Sequence, residues 1–217
     1  MTILNLSFAA CGFLGIYHLG AVGAILRHGD KLLGSLGGCA GASAGALVAA
    51  VLITAPEKLE NCKEFTYRFA DAVRQQRFGA VTPGYNFMLT LREGIEEILP
   101  SEAHSLATDR LHVSITHSKS GKNHIISKFT SREELIKALL ASSYVPVYAG
   151  LKPVELRGQN AGNKCAAQAF NGQAESRGKI TNMYLFHKKQ SIASRTVIRA
   201  RSYVEHPTGL NVQGKGP

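Results

Sequence analysis

Residues 35–54 read Ser-Leu-Gly-Gly-Cys-Ala-Gly-Ala-Ser-Ala-Gly-Ala-Leu-Val-Ala-Ala-Val-Leu-Ile-Thr, a short small-residue strand that turns into an almost wholly apolar helix. The turn is Gly41-Ala42-Ser43-Ala44-Gly45, a G-x-S-x-G. A serine on so tight a strand-to-helix turn is held in strained geometry, and any Cβ at 41 or 45 collides with the neighbouring strand and helix. The pattern predicts that Ser43 projects its hydroxyl over a helix N-terminus, where unpaired N–H groups and the helix dipole favour negative charge. Ser43 is therefore the candidate nucleophile.

Working back from this turn, residues 3–9 alternate apolar with small or polar side chains, as a strand does. The loop 10–15 follows and leads into a helix marked by Ile16, Leu19, Val22, Ile25 and Leu26, with a glycine stop at Gly29. With a second strand at about 35–40 and a helix over 44–54, the N-terminal third reads βαβα, a parallel sheet with covering helices. The uncharged run 33–56 is also long enough to span a bilayer, and Gly37, Gly41 and Gly45 form G-x-x-x-G spacings. Its first half is mostly Gly, Ser, Ala and Cys, which favours a buried α/β core over a membrane span.

Working forward, Leu59, Cys62, Phe65, Phe69 and Val73 form the core stripe of a helix that opens near Pro56 and ends near Gln76. Residues 78–85 form a loop, 87–99 an amphipathic helix, and a short helix starts near Ser101. A strand at 111–116 and its partner at 125–129 flank a turn at 120–122. Ser131 to Glu134 is a capping box for a helix through Leu140, ending at Ser142-Ser143-Tyr-Val-Pro146, and 154–157 forms one more strand. Beyond Gly158 neither period persists. The spacing predicts a domain over 1–158 and a disordered or loosely attached tail over 159–217, where only 183–186 or 196–198 has the pattern to order.

The net charge of +10 lies mostly in that tail: nine Lys and Arg against two Glu give it +7, which leaves +3 for residues 1–158. Cys11, Cys39, Cys62 and Cys165 show no metal-ligand spacing, and the first residues lack a basic signal-peptide start, so a reduced intracellular setting is expected.

The loop Ala10-Cys11-Gly12-Phe13-Leu14-Gly15 sits where backbone N–H groups meet an anion or oxyanion. A dinucleotide-binding G-x-G-x-x-G needs glycine where Ala10 stands, and it leaves Ser43 without a role, although Asp30 lies near the distance of a ribose-binding acid. Two small-residue turns about thirty residues apart, one offering amides and the other a hydroxyl, instead match the needs of acyl transfer.

Four stretches carry a family resemblance: Asn5-Leu-Ser-Phe-Ala-Ala-Cys-Gly-Phe-Leu-Gly-Ile-Tyr-His-Leu-Gly20, Gly41-Ala-Ser-Ala-Gly45, Phe78-Gly-Ala-Val-Thr-Pro-Gly84 and Leu140-Ala-Ser-Ser-Tyr-Val-Pro-Val-Tyr-Ala-Gly150. Residues 4–158 resemble the patatin-like phospholipases. The resemblance implies a three-layer α/β/α fold with a mainly parallel sheet. It also implies hydrolysis of triacylglycerols, phospholipids or retinyl esters at a lipid-droplet or membrane surface, by a Ser-Asp dyad without histidine, metal or cofactor. Carried over by position, Ser43 is the nucleophile and the amides around Cys11, Gly12 and Phe13 form the oxyanion hole; Ala10, Gly15, Gly41, Ala42, Ala44 and Gly45 complete the two turns. The partner implied is lipid and not nucleic acid, and the compartment a cytoplasmic one peripheral to membrane or lipid droplet, with the mitochondrion as the alternative.

The family's aspartate belongs to an Asp-Gly-Gly or Asp-Gly-Ala motif just beyond the strand that here ends near Arg157-Gly158-Gln159. This chain continues Asn160-Ala-Gly-Asn-Lys, and its aspartates are Asp30, Asp71 and Asp109. The break reads as an altered frame or alternative last exon that replaces the C-terminal part of the core. Glu155, His18, His112, His117 and His124 are the substitutes to consider, each also explicable as a surface or loop residue. The expectation is a serine acyl hydrolase of weak or no activity. Beside it stand a non-catalytic lipid-binding or regulatory form with a basic tail for anionic lipid, and an incompletely folded product.

Overall fold

The expected β-α-β-α run forms the centre of the molecule in a computed structural model that describes residues 3–118, 120–150, 152–162 and 183–187. Strand β1 (Leu4–Phe8) buries Leu6 and Phe8, and a 3-10 turn over Gly12–Leu14 leads into α1 (Gly15–His28). The Gly29 amide closes α1 by donating to the Ile25 carbonyl at 2.7 Å. A four-residue helix α2 (Asp30–Leu33), too short to show a period, precedes β2 (Leu36–Ala42) and α3 (Ala44–Thr54). The uncharged run is thus divided into a strand, a turn and an 11-residue helix, where a membrane span needs about 20 residues. No helix among the described residues is long and apolar enough to cross a membrane.

Helix α4 (Leu59–Gln75) lays the expected stripe of Leu59, Cys62, Phe69 and Val73 into the core. Then come α5 (Phe87–Ile98), α6 (Ala103–Ala107), β3 (Leu111–His117), β4 (Asn123–Ile126), α7 (Arg132–Ser143), β5 (Val154–Leu156), β6 (Gln159–Gly162) and β7 (Met183–His187). The strand order is β5-β6-β3-β2-β1-β7, with β4 also pairing β3. Pairs β1–β2 and β2–β3 are parallel, and the outer pairings are antiparallel. The result is a mixed sheet, parallel at its centre and flanked by helices. Helix α3 is buried along nearly its whole length, packed on β1, β2 and β3 and against α1, α4, α6 and α7.

Three local expectations change. The partner of β3 spans Asn123–Ile126 and not 125–129, because register pairs Thr116 with Asn123, and Phe129 turns into the core. The sheet continues past residue 158: Arg157 (φ +52°) and Gly158 (φ +72°) make a two-residue turn of the kind that matches strand twist, and β6 pairs back on β5. Of the two runs expected to order in the tail, the first becomes β7, antiparallel to β1; residues 196–198, like most of the tail, lie outside the described residues. Finally, the capping box is shifted by a residue. Ser131 Oγ accepts the Glu134 amide at 3.2 Å, but the Glu134 carboxylate takes the Thr130 amide and hydroxyl, both at 2.6 Å, in place of the Ser131 amide.

That carboxylate also accepts from Arg157 Nε at 2.6 Å, which ties the β5–β6 turn to the start of α7. Burial pushes Glu134 up, but the Thr130 and Arg157 hydrogen bonds prevail and hold it at about 2. Its stabilising contribution is therefore present above the ordinary glutamate range, near 4.5, and lost as pH falls from there through about 2. Stability measured by denaturant titration is expected to fall across that window, and Glu134→Gln should remove on the order of 1–2 kcal/mol of the fall. A second tie is Arg132, whose guanidinium donates to the carbonyls of Glu96 at 2.6 Å, Leu99 at 2.9 Å and Pro100 at 3.1 Å. It satisfies the orphan acceptors at the end of α5 and places a cation on its negative pole. Arg132→Met should cost about 2–3 kcal/mol in the same titration.

Candidate functional site

Ser43 stands between β2 and α3 with φ +54° and ψ −132°, a region outside the left-handed helical well that a non-glycine residue adopts at a cost of about 1–3 kcal/mol. The glycines on either side make this conformation feasible. A Cβ on Gly41 would overlap the Gly45 carbonyl and the Ala46 nitrogen, and one on Gly45 would overlap the carbonyl oxygens of Phe8 and Ala9. The first turn of α3 thus rests directly on the end of β1. Ser43 is 9% exposed, and its carbonyl accepts the Ala46 amide at 2.8 Å. The amides of Ala44 and Gly45, the first two of the helix, find no acceptor among the described residues.

The second turn lies against the first. A Cβ on Gly15 would lie 3.2 Å from the Ala44 Cβ and 3.7 Å from Cys11 Sγ, so the loop 10–15 and the serine turn are in contact through residues without bulk. Gly12 has φ +54°, a conformation glycine adopts freely. In the 3-10 turn the Leu14 amide donates to the Cys11 carbonyl at 3.1 Å, whereas the amides of Cys11, Gly12 and Phe13 donate to no acceptor among the described residues. These are the donors an oxyanion needs.

Two side chains hold the loop. The His18 imidazole, 2% exposed, has its Nε2 3.2 Å from the Ala9 carbonyl and its ring edge-on to Phe8 at 5.5 Å. Burial lowers its pKa, with the Ala9 hydrogen bond opposing, so the ring is a neutral N–H donor. Phe13 packs on Phe69 of α4 at 5.3 Å and on Phe87 of α5 at 6.4 Å, and Phe87 meets Tyr148 at 5.4 Å. Phe69 is core, as its spacing predicts, and also a wall for the loop. Burial pushes the Cys11 thiol up to about 11, so it contributes no charge. Exposed Leu14, Leu89 and Val147 lie beside the members of this aromatic wall in sequence.

None of the carboxylates or imidazoles proposed as a base hydrogen-bonds the Ser43 hydroxyl. His18 is committed to the loop, His117 Nδ1 lies 2.9 Å from Ser120 Oγ, and His124 is exposed on β4. Glu155 projects exposed from β5, opposite Asn160. Asp30, Asp71 and Asp109 are exposed, and Asp71 faces Arg74 at 3.8 Å. One residue that sequence reading missed does reach the serine turn: the Ser43 amide donates to Ser142 Oγ at 2.8 Å. The only signal for it was a pair of hydroxyl residues ending an apolar helix.

The family model for patatin-like phospholipase matches residues 6–167. Human patatin-like phospholipase domain-containing protein 4 is 65% identical over 159 residues, 73% of this chain and 63% of that protein. Bovine patatin-like phospholipase domain-containing protein 2 is 38% identical over 157 residues, 72% of this chain and 32% of that protein. Human omega-hydroxyceramide transacylase is 37% identical over 154 residues, 71% of this chain and 29% of that protein. The chain therefore spans under two thirds of the length of each. With its serine turn and the 10–15 loop in contact and the match running through both, the chain belongs to the patatin-like phospholipase family.

Proposed function

We propose that this chain is a serine-based acyl-ester domain acting on lipid esters (a triacylglycerol, phospholipid or retinyl ester) at a lipid or membrane surface, with Ser43 as nucleophile. The observation that carries it is the contact between the strained serine turn and a loop whose amides at Cys11, Gly12 and Phe13 are unpaired among the described residues. In the reaction, Ser43 Oγ adds to the ester carbonyl carbon while its proton leaves to a base. The carbonyl oxygen becomes an oxyanion met by the amides of Cys11, Gly12 and Phe13. Loss of the alkoxide leaves an acyl-serine, which water, or a second alcohol, resolves. The aromatic wall from Phe13 to Tyr148 and the exposed Leu14, Leu89 and Val147 suit an acyl chain and an apolar surface.

A second reading is favoured by one observation: no described carboxylate or imidazole bonds the Ser43 hydroxyl. In it the domain holds lipid ester without turnover, since a serine hydroxyl at its ordinary pKa is a poor nucleophile and loss of the base costs about 10³-fold or more. Incubation with a fluorophosphonate and with short-chain p-nitrophenyl esters separates the two. The first reading expects labelling and ester turnover abolished by Ser43→Ala, and reduced about 10²-fold by Gly45→Ala, which separates the two turns. Retention of phospholipid vesicles by an unlabelled wild-type chain would instead establish the second.

A further inference from the structure

Ser142 is fully buried at the end of α7, and its hydroxyl makes no bond to the carbonyl four residues back. Thr54, Thr66 and Thr108 each donate to the carbonyl four residues back, at 2.8, 2.8 and 2.9 Å, the usual local bond of such a residue. Ser142 donates to the Ser114 carbonyl on β3 at 2.7 Å and accepts the Ser43 amide at 2.8 Å. Both partners belong to other elements, and one is 99 residues away.

The sheet register gives this bond its meaning. Cys39, paired with Leu111, donates its amide to the Arg110 carbonyl at 2.8 Å. In a parallel ladder the same donation recurs every second residue, so the next rungs run from Gly41 to His112 and from Ser43 to Ser114. The last pair of the ladder is Ala42 with Ser114, and at Ser43 the chain leaves the extended conformation. The final rung is not made directly. The Ser142 hydroxyl stands in it, accepting from the Ser43 backbone amide on one side and donating to the Ser114 carbonyl on the other.

We propose that Ser142 is a positioning residue for Ser43: its hydroxyl is an inserted rung that anchors the backbone of the serine turn to β3 at the point where the strand ends. A hydroxyl suits the place because it donates and accepts at once in a fully buried space. Since the Ser43 amide is committed to this rung, the oxyanion donors are the loop amides and that of Ala44. The functional consequence rests on Ser43 being the nucleophile; the backbone anchor does not.

The test compares Ser142→Thr, Ser142→Val and Ser142→Ala in the full chain. Threonine and valine share a shape and differ in the hydroxyl, so crowding is common to both. Amide hydrogen exchange at Ser43, read by NMR, is expected to quicken about 10–100-fold in the valine and alanine variants relative to threonine, with smaller changes in α4 and α5. The second-order rate of fluorophosphonate labelling should fall about 10-fold in the same two variants and be restored by threonine. Equal exchange at Ser43 in the threonine and valine variants, or a rise shared equally by α4 and α5, would overturn the proposal. If the wild-type chain takes no label, the nucleophile reading falls and exchange alone decides the anchor.

Discussion

The contact between the first turn of α3 and the end of β1 is the constraint on which the rest of the site depends. Gly45 leaves its backbone against the Phe8 and Ala9 carbonyls, so the two loops that leave β1 and β2 emerge side by side. The approach requires the turn at Ser43 to be tight, and the tight turn requires a strained serine. It also brings Ala44 onto Gly15, which fixes the 10–15 loop from one side. His18 holds the same loop through the Ala9 carbonyl, and Phe13 is braced on Phe69. On the other side of the serine, the Ser142 hydroxyl links the turn to β3. Each support acts on backbone already placed by the glycine contact.

The electrostatic character of the site follows from the same packing. Burial keeps the His18 ring neutral and the Cys11 thiol protonated, so neither places a formal charge beside the loop. The polar groups at the two touching turns are backbone dipoles: the unpaired amides of residues 11–13 and the N-terminal end of α3. Fixed dipoles in a partly buried site favour developing negative charge without having to reorganise. A charged imidazole at position 18 would carry a proton on both nitrogens in an apolar pocket beside Phe8, at a desolvation cost that its single bond to Ala9 does not offset.

Much of this was legible in the sequence where the physics is local. Gly41 and Gly45 around Ser43, the glycines of the loop, the stripe along α4 and the Ser131 cap are short-range patterns, and the structure forms the expected elements at each. Features that depend on distant partners were not legible. Strand β6 has no apolar alternation; it exists because the Arg157-Gly158 turn folds it back on β5 and because Thr116 and His117 accept it as a neighbour. The limits of β4 are set by register on β3 and not by its own composition. His18 was read as a candidate base or a surface residue, and Ser142 as no more than the end of a helix, because their partners, Ala9, Ser43 and Ser114, are brought to them only by the fold.

Acyl transfer makes two demands: donors for an oxyanion and a base for the nucleophile's proton. Stabilising an oxyanion needs rigid donors; the unpaired amides at Cys11, Gly12 and Phe13 and at the start of α3 lie on the two turns that leave β1 and β2, backed by the one core that the whole domain shares. Removing a serine proton needs a base, and none of the described carboxylates hydrogen-bonds the Ser43 hydroxyl. Glu133 and Glu134 serve Arg92 and Arg157, Asp71 faces Arg74, and Glu155 lies exposed on β5. The unpaired amides thus stand in place with no described base bonded to the serine. Because oxyanion stabilisation and binding retain part of their effect when a base is absent, a domain that worked as proposed would keep its affinity for an ester carbonyl while its turnover varied with the residue that supplies the proton acceptor.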